Sequence, residues 1–454
     1  MSRFLAGPFA PVDEEVTAFD LPVTGRVPGE LAGRYLRIGP NALGVEDPAA
    51  HHWMSGPGMV HGVRIRDGRA EWYRNRWVRS EQVRGLLGEP SGGAACEIGI
   101  DFACNTHVIG HGGRTLALME DWACPQELTA ELDTVGPYAL GGVRPGFTMG
   151  AHTKLDPLTG ELHGLAYLSG RRTARHLVVD GAGRLVHEAE IPLDGNPMMH
   201  DFALTERWVV VYDSPVVFSP EAMSTGARTP YTRDPRRPSR VGVLPRAGGG
   251  VRWFEAPDAF VSHTLNAYDD GERVVLELVT LPADFDIAAM RMSRYGTLDR
   301  WTVDLSAGTV CEQRLDDRPQ EFPRIADTVV SRPHRYGYTA ATAAMYQAYV
   351  PAGDGPLPDE AFVNALIKHD TVRGTSEVHT FERDAAVGEA VFVPAAGGRA
   401  EDDGYVMGYV HDPRRGAGDL VILAAQDFTA EPIARIHLPR RVPLGLHGSW
   451  LPDR

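Results

Sequence analysis

"YDDGERVVLELV", Tyr268–Val279, decides how this chain is read. The Asp-Gly pair is a hairpin signal, because both residues tolerate the positive φ of a tight turn. The β-branched and apolar run behind it reads as the returning strand. The same unit recurs as "IRDGRAEWY" (Ile65–Tyr73), "GHGGRTLALM" (Gly110–Met119), "VDGAGRLVHEAEI" (Val179–Ile191) and "EDDGYVMGYV" (Glu401–Val410). "RWVVVYD" (Arg207–Asp213) and "GDLVILAA" (Gly418–Ala425) read as buried strands. The pattern persists from about residue 60 to the end without a Ser- or Gln-rich linker. It predicts one continuous all-β domain spanning residues 1–454. Radial repetition hides the edges of a large antiparallel protein, so a β-propeller is the expected architecture. No short blade signature recurs, and the pattern alone leaves the blade count open. Short helices or cap segments are expected at Pro220–Ser224, Phe285–Gly296 and Ala341–Val350.

Composition narrows the function. Of 454 residues, 43% are hydrophobic and 23% charged, with 50 glycines and 34 prolines, which suits many short strands. The net charge of −15 and the lack of a basic cluster argue against nucleic acid as a partner. The cysteines Cys96, Cys104, Cys124 and Cys311 form no C-x-x-C pair and fit no zinc module. Their scarcity predicts free thiols in a reducing compartment. The opening "MSRFLAGPFAPVDEE" has no apolar core of a signal peptide, and no stretch is long and apolar enough to span a membrane. A cytoplasmic protein is expected.

The sequence lacks a G-x-S-x-G elbow, a P-loop, an H-E-x-x-H pair and a dinucleotide-binding glycine motif. It is rich in histidine, with 17. Four stand out: His152 in "GAHTKLDPLTGELHG", His200 in "NPMMHDFALT", His263 in "VSHTLNAYDDG" and His447 in "GLHGSW". Taken singly, each passes for a core or turn histidine, as do His107, His163, His187, His379 and His437. The four are 48, 63 and 184 residues apart, so they form no local metal motif. They meet only if separate strands converge, as the inner strands of a propeller do. Asp201, beside His200, is expected to bond nearby backbone and not to act as a ligand.

"MMHDFALTERWVVVYDSPVVF" (Met198–Phe218) resembles the most recognisable segment of the carotenoid cleavage oxygenases, a family that includes a retinoid isomerase and stilbene-cleaving dioxygenases. "GRYLRIGPNAL" (Gly33–Leu43), "HHWMSGPGMVHGVRI" (His51–Ile65) and "NTHVIGHGGRTLALME" (Asn105–Glu120) follow in family order. So do "AHTKLDPLTGELHG" (Ala151–Gly164), "HTLNAYDDG" (His263–Gly271), "EFPRI" (Glu321–Ile325), "EAVFVP" (Glu389–Pro394) and "HGSW" (His447–Trp450). The resemblance covers nearly the whole chain. It implies a seven-bladed β-propeller with a cap of loops and short helices. It implies Fe(II) held by His152, His200, His263 and His447, with Glu120, Glu321 and Glu389 behind the histidines. Imidazole suits iron, and a ligating histidine commonly gives its second N–H to a carboxylate. Pro57, Gln126 and His107 depart from the family's usual residues and touch no proposed ligand.

The implied reaction is cleavage of a conjugated alkene of a carotenoid or apocarotenoid by O₂, giving two carbonyl products. A stilbene is the nearer rival substrate. A metal-dependent hydrolase and a pure binding scaffold are rivals of another class. In stilbene-cleaving relatives a lysine just before the first glutamate engages the phenol; here that position is Met119, an apolar residue that either lines an oily tunnel or fills core space, and under both readings the lysine is missing. The partners expected are a hydrophobic polyene and O₂, with room for peripheral membrane contact where such a substrate enters.

Overall fold

The tight turns form where glycine and aspartate mark them. Between the paired Arg66 and Arg69, Asp67 and Gly68 take φ of 50° and 71°; between His111 and Arg114, Gly112 and Gly113 take 56° and 77°. Two successive positive φ values match the twist of the flanking strands. The computed structural model describes residues 2–49, 51–93, 99–142, 148–224, 229–351 and 356–453.

The described strands make seven sheets of four or five strands and one small hairpin. Gly33–Pro40, Gly58–Arg66 and Arg69–Trp77 form one sheet, with Thr17–Phe19 at one edge and Gly448–Pro452 at the other. Four-stranded sheets then start at His107–His111, Lys154–Leu155, Phe202–Leu204, Ala259–Asp270 and Glu321–Arg324. In the last sheet Ala386–Pro394, Gly404–Asp412, Ala417–Ala424 and Ala434–His437 are joined by Val23–Gly25. Both chain ends are thus stitched into sheets, Gly33 opposite Pro452 and Val23 opposite Ile436. This is a seven-bladed β-propeller, as the resemblance implies. Phe202–Leu204, the first strand of its blade, is wholly buried, while Thr309–Asp316 and Leu185–Pro192, the last strands of theirs, are largely open. Polar outer edges discourage edge-to-edge pairing.

By contact the chain divides into two compact units: Met1–Ala151 with Asn364–Leu366 and Glu377–Arg454, and His152–Val363 with Ile367–Ser376. The first unit holds one core around Tyr35, Ile65, Tyr73, Met407 and Ile422, and another around Leu36, Ile38, Trp72 and Trp77. In the second, Val210, Leu276 and Trp301 pack in one core, and Phe202, Val211 and Leu244 in another. Each such side chain contributes on the order of 1.5–3 kcal/mol by leaving water.

One expectation, of a helix or cap segment, is narrowed, and one is corrected. Phe285–Gly296 is not a helix but a turn region with an Asp286–Arg291 bridge. Aspartates there capture the backbone: Asp286 accepts from the Ala289 amide, and Asp284 from the Ser293 amide and hydroxyl. Such local bonds compete with helix formation. Cys124 is disulfide-bonded, whereas Cys104 and Cys311 are free thiols as expected; Cys96 lies outside the described residues. Helices do form at Pro220–Ser224 and Ala343–Tyr349. A further one, Glu81–Leu87, carries signals visible in the sequence: Ser80 caps its start and Gly88, at φ 70°, ends it. No described helix is long and apolar enough to cross a membrane.

Candidate metal centre

Three histidines converge from three different blades. His152 lies two residues before the strand Lys154–Leu155, His200 two before Phe202–Leu204, and His263 is the fifth residue of Ala259–Asp270. Their ring centroids are 4.4, 4.9 and 5.1 Å apart, and one nitrogen of each lies within 4.8 Å of the others. His152 is buried; His200 and His263 are half-buried. The donor set is all imidazole, with no carboxylate in the cluster. Neutral nitrogen donors fit iron and other first-row metals, and they disfavour the oxygen-seeking cations magnesium and calcium.

Backbone irregularity aims these groups. The strand carrying His263 slips register between Val261 and His263 and again between Thr264 and Asn266. Paired bulges of this kind turn a side chain out of the ordinary alternation. Glu321 opens the neighbouring sheet, and the pairing also slips just after it, between Glu321 and Arg324. There Phe322 takes φ 55°, a left-handed conformation costly for an aromatic residue. Its amide donates to Glu321 Oε2, and its ring stacks on His263 at 6.1 Å.

Glu321 is 5% exposed, so it is no solvated surface glutamate. His263 Nδ1 lies 2.9 and 2.7 Å from its two carboxylate oxygens. Burial alone would push the Glu321 carboxyl up; the His263 imidazole and the Phe322 amide outweigh it and hold the carboxyl below its ordinary value. An ionised carboxylate only accepts, so Nδ1 carries the hydrogen and Nε2 keeps the lone pair.

The first unit repeats this device. His447, just before Gly448–Pro452, has Nδ1 2.8 Å from Glu389 Oε1, and the Gly448 amide donates to Glu389 Oε2 at 2.8 Å. Glu389 is 1% exposed and again sits in a register slip, between Val387 and Ala390. Buried Arg37 donates to the Glu389 and Gly445 carbonyls, at 3.4 and 2.9 Å. Gly388 leaves room for it: a Cβ there would lie 1.8 Å from Arg37 Nη1.

Asp201 bonds nearby backbone, as the sequence suggested. Its Oδ1 accepts from the Phe202 amide at 2.8 Å and from Lys154 Nζ at 2.9 Å, and its Oδ2 from the Thr264 amide at 2.7 Å. Burial pushes the Asp201 carboxyl up, but Lys154, with His152 and His263 nearby, holds it well below the usual carboxylate range. Lys154 was not picked out by sequence reasoning. Its place two residues after His152 was the available signal.

Glu120 lies two residues past the strand Arg114–Leu118 and is half-buried. Met119 packs against the first unit's tryptophan-containing core. Of the histidines read as core or turn residues, His437 bonds Asp419 and Thr24, His379 the Phe428 carbonyl, His163 bonds His176 and Arg246, and His107 the Ala151 carbonyl; the His107 ring lies 5.4 Å from that of His447, so this departure from the family does neighbour a proposed ligand. His187 lies beside His176, ring centroids 6.0 Å apart.

Comparison with known proteins matches the whole of this frame. Residues 9–452 match the family described as retinal pigment epithelial membrane protein. The chain is 42% identical to a carotenoid cleavage oxygenase of Mycobacterium tuberculosis, over 99% of this chain and 97% of that protein. Crystal structures of the cobalt-substituted Synechocystis apocarotenoid oxygenase and the Pseudomonas brassicacearum lignostilbene dioxygenase superpose with TM-scores of 0.84 and 0.85, each at 28% identity. The first covers 98% of this chain and 97% of its own, the second 100% and 99%.

Proposed function

Since the chain belongs to the carotenoid cleavage oxygenase family, we propose that it is an Fe(II)-dependent dioxygenase acting on a conjugated double bond of a carotenoid or apocarotenoid, with O₂ as co-substrate and two carbonyl products. The observation that carries this is the all-imidazole cluster of His152, His200 and His263, with Glu321 fixing the tautomer of His263. On this reading His447, oriented by Glu389, is the fourth ligand, and Glu120 completes the carboxylate set. The whole of 1–454 acts as one propeller domain. A cytoplasmic protein that meets a membrane only peripherally fits an oily substrate.

Iron, if held by these histidines, would supply the binding and activation of O₂. The protein's own groups do the rest. The histidines stay neutral and hold the metal, and the glutamates hold their Nδ1 hydrogens and fix the rings. The aromatic rings of Phe260 and Phe322 lie beside His200 and His263, and apolar surroundings of this kind suit a polyene and disfavour water. No proton-transfer pair is required.

The cluster speaks against a metal-dependent hydrolase, whose metal favours carboxylate ligands. A binding scaffold would have no use for a histidine tautomer set by a buried carboxylate. The stilbene alternative is favoured by the lignostilbene dioxygenase likeness but lacks the lysine at Met119. The test is Fe(II)-loaded protein incubated with carotenoids, apocarotenals and stilbenes under air, with products identified by mass. Aldehydes from a polyene, O₂ consumption and about one iron per chain support the reading. A protein that binds no iron and consumes no O₂ overturns it.

A further inference from the structure

The three clustered histidines come from three separate sheets, and among the described residues no ladder of the kind that fixes neighbours within a sheet joins those sheets. Their relative placement must come from side chains. Asp201 reaches all three strands at once. It follows His200 directly, its Oδ2 takes the Thr264 amide one residue after His263, and its Oδ1 takes Lys154 Nζ two residues after His152. The bulges around His263 turn the Thr264 amide towards this oxygen. Tyr212 to Thr264, at 2.9 Å, and Thr205 to Asp269, at 3.1 Å, also join the second and third of these sheets, and Arg246 joins the second to Asp156 and His163 beside the first, at 2.6 and 2.9 Å; of these links only that of Asp201 touches all three.

We propose that the Lys154–Asp201 pair is the positioning device of the metal centre: it holds the three histidine-bearing strands in register and so sets the geometry of the ligand nitrogens. This rests on the reading that the histidines bind metal. A site of this kind must hold its ligands to within about 0.5 Å, and groups behind the ligands do that work. Asp201 suits the task because it is 2% exposed and both its oxygens are occupied by fixed donors, two of them backbone amides. A buried carboxylate with three donors is strongly anchored, and removing the charge leaves donors unmatched. Lys154, half-buried with its ammonium 5.7 Å from the Phe202 ring centroid, is the arm that ties in the first strand.

The test titrates metal-free protein with cobalt(II) and follows the ligand-field absorption. Circular dichroism serves as the check of folding. Wild-type protein should bind about one cobalt with a saturating band. Asp201→Asn and Lys154→Met should bind about 10–100-fold more weakly, with a shifted band, and Lys154→Arg should restore both affinity and band. On the Fe(II) holoenzyme, Lys154→Met should lower kcat and leave KM near wild type. If Asp201→Asn fails to fold, the lysine pair decides. Wild-type affinity and band in Lys154→Met overturn the proposal, as does a Lys154→Arg protein no better than Lys154→Met. Wild-type protein that takes up neither cobalt nor iron instead overturns the functional reading beneath it.

Discussion

Glu389 holds His447 and the residue after it together: one carboxylate oxygen lies 2.8 Å from His447 Nδ1, and the other accepts the Gly448 amide at 2.8 Å. Ring orientation and backbone position are thus set by one buried side chain. Glu389→Gln leaves one accepting oxygen for two donors and sets an amide N–H against the other. Iron retention or turnover should fall about 10–100-fold, and Glu321→Gln, facing His263 and the Phe322 amide, should match it. Loss of a ligand histidine should cost more. Iron content and rate at wild-type level in both glutamine variants would show that the carboxylates serve the fold alone.

Gly388 should be irreplaceable for a reason separate from flexibility. A methyl group there would meet the Arg37 guanidinium at 1.8 Å, and that guanidinium holds the carbonyls of Glu389 and Gly445. Gly388→Ala must displace Arg37 or the strand. A loss of about 1–3 kcal/mol in chemical denaturation is expected, with weakened iron binding through Glu389 and His447. A stable Gly388→Ala protein with normal iron would mean that Arg37 swings aside freely.

His200→Ala and His163→Ala should separate metal binding from packing. His200 belongs to the cluster, so its loss should abolish turnover and remove most of the iron. His163 is buried in its blade, with His176 at 2.9 Å on one nitrogen and Arg246 at 2.9 Å on the other. Its loss should keep iron at about one per chain and cost roughly 1–3 kcal/mol, the penalty of unmatched buried polar groups. Metal analysis beside a denaturant melt distinguishes the two.

The blades were legible because turn chemistry is local. Asp67-Gly68 and Gly112-Gly113 announce their hairpins within two residues. The ligand candidates were legible through motif, not spacing, since convergence of His152, His200 and His263 depends on three sheets packing. The aspartates that undo a helix at Phe285–Gly296 stand in the sequence, but helical spacing of its apolar residues hides them. Lys154 and Asp201, 47 residues apart, could not be paired without the fold. Nor could the burial of Glu389 be read from "AVGEAVF", where it resembles a solvated glutamate in a strand. The bulge that turns it inward leaves no mark other than Gly388.

Acid should loosen the blade around His163. Burial, reinforced by the nearby Arg246 guanidinium, lowers the His163 pKa from 6.5 to about 3, and His176 is likewise lowered by burial and by its histidine neighbours. Asp156, raising His163, does not offset this. The folded state therefore binds fewer protons than the unfolded one between these values. Stability from this source is complete above about pH 6.5 and is lost as pH falls towards 3. His163→Gln, which does not titrate, should flatten the fall. Denaturation midpoints of both proteins between pH 7 and pH 4 check this, and parallel curves would assign the acid sensitivity to other groups.

The substrate class turns on Met119. In the stilbene-cleaving members that this chain resembles, a lysine at this point in the sequence engages the phenol. The chain instead presents a thioether that packs against the core holding Leu36 and Trp77. A thioether accepts weakly and carries no charge, so it cannot hold a phenolate, and it adds apolar surface that a polyene can use. A phenol brought there loses water and gains no partner, which costs binding. The expected outcome is a higher kcat/KM for an apocarotenal than for resveratrol on one iron-loaded preparation. Met119→Lys should narrow that ratio by improving the stilbene, by weakening the apocarotenal, or by both. A clear wild-type preference for resveratrol would reassign the substrate to the stilbenes while leaving the histidine cluster and its metal untouched.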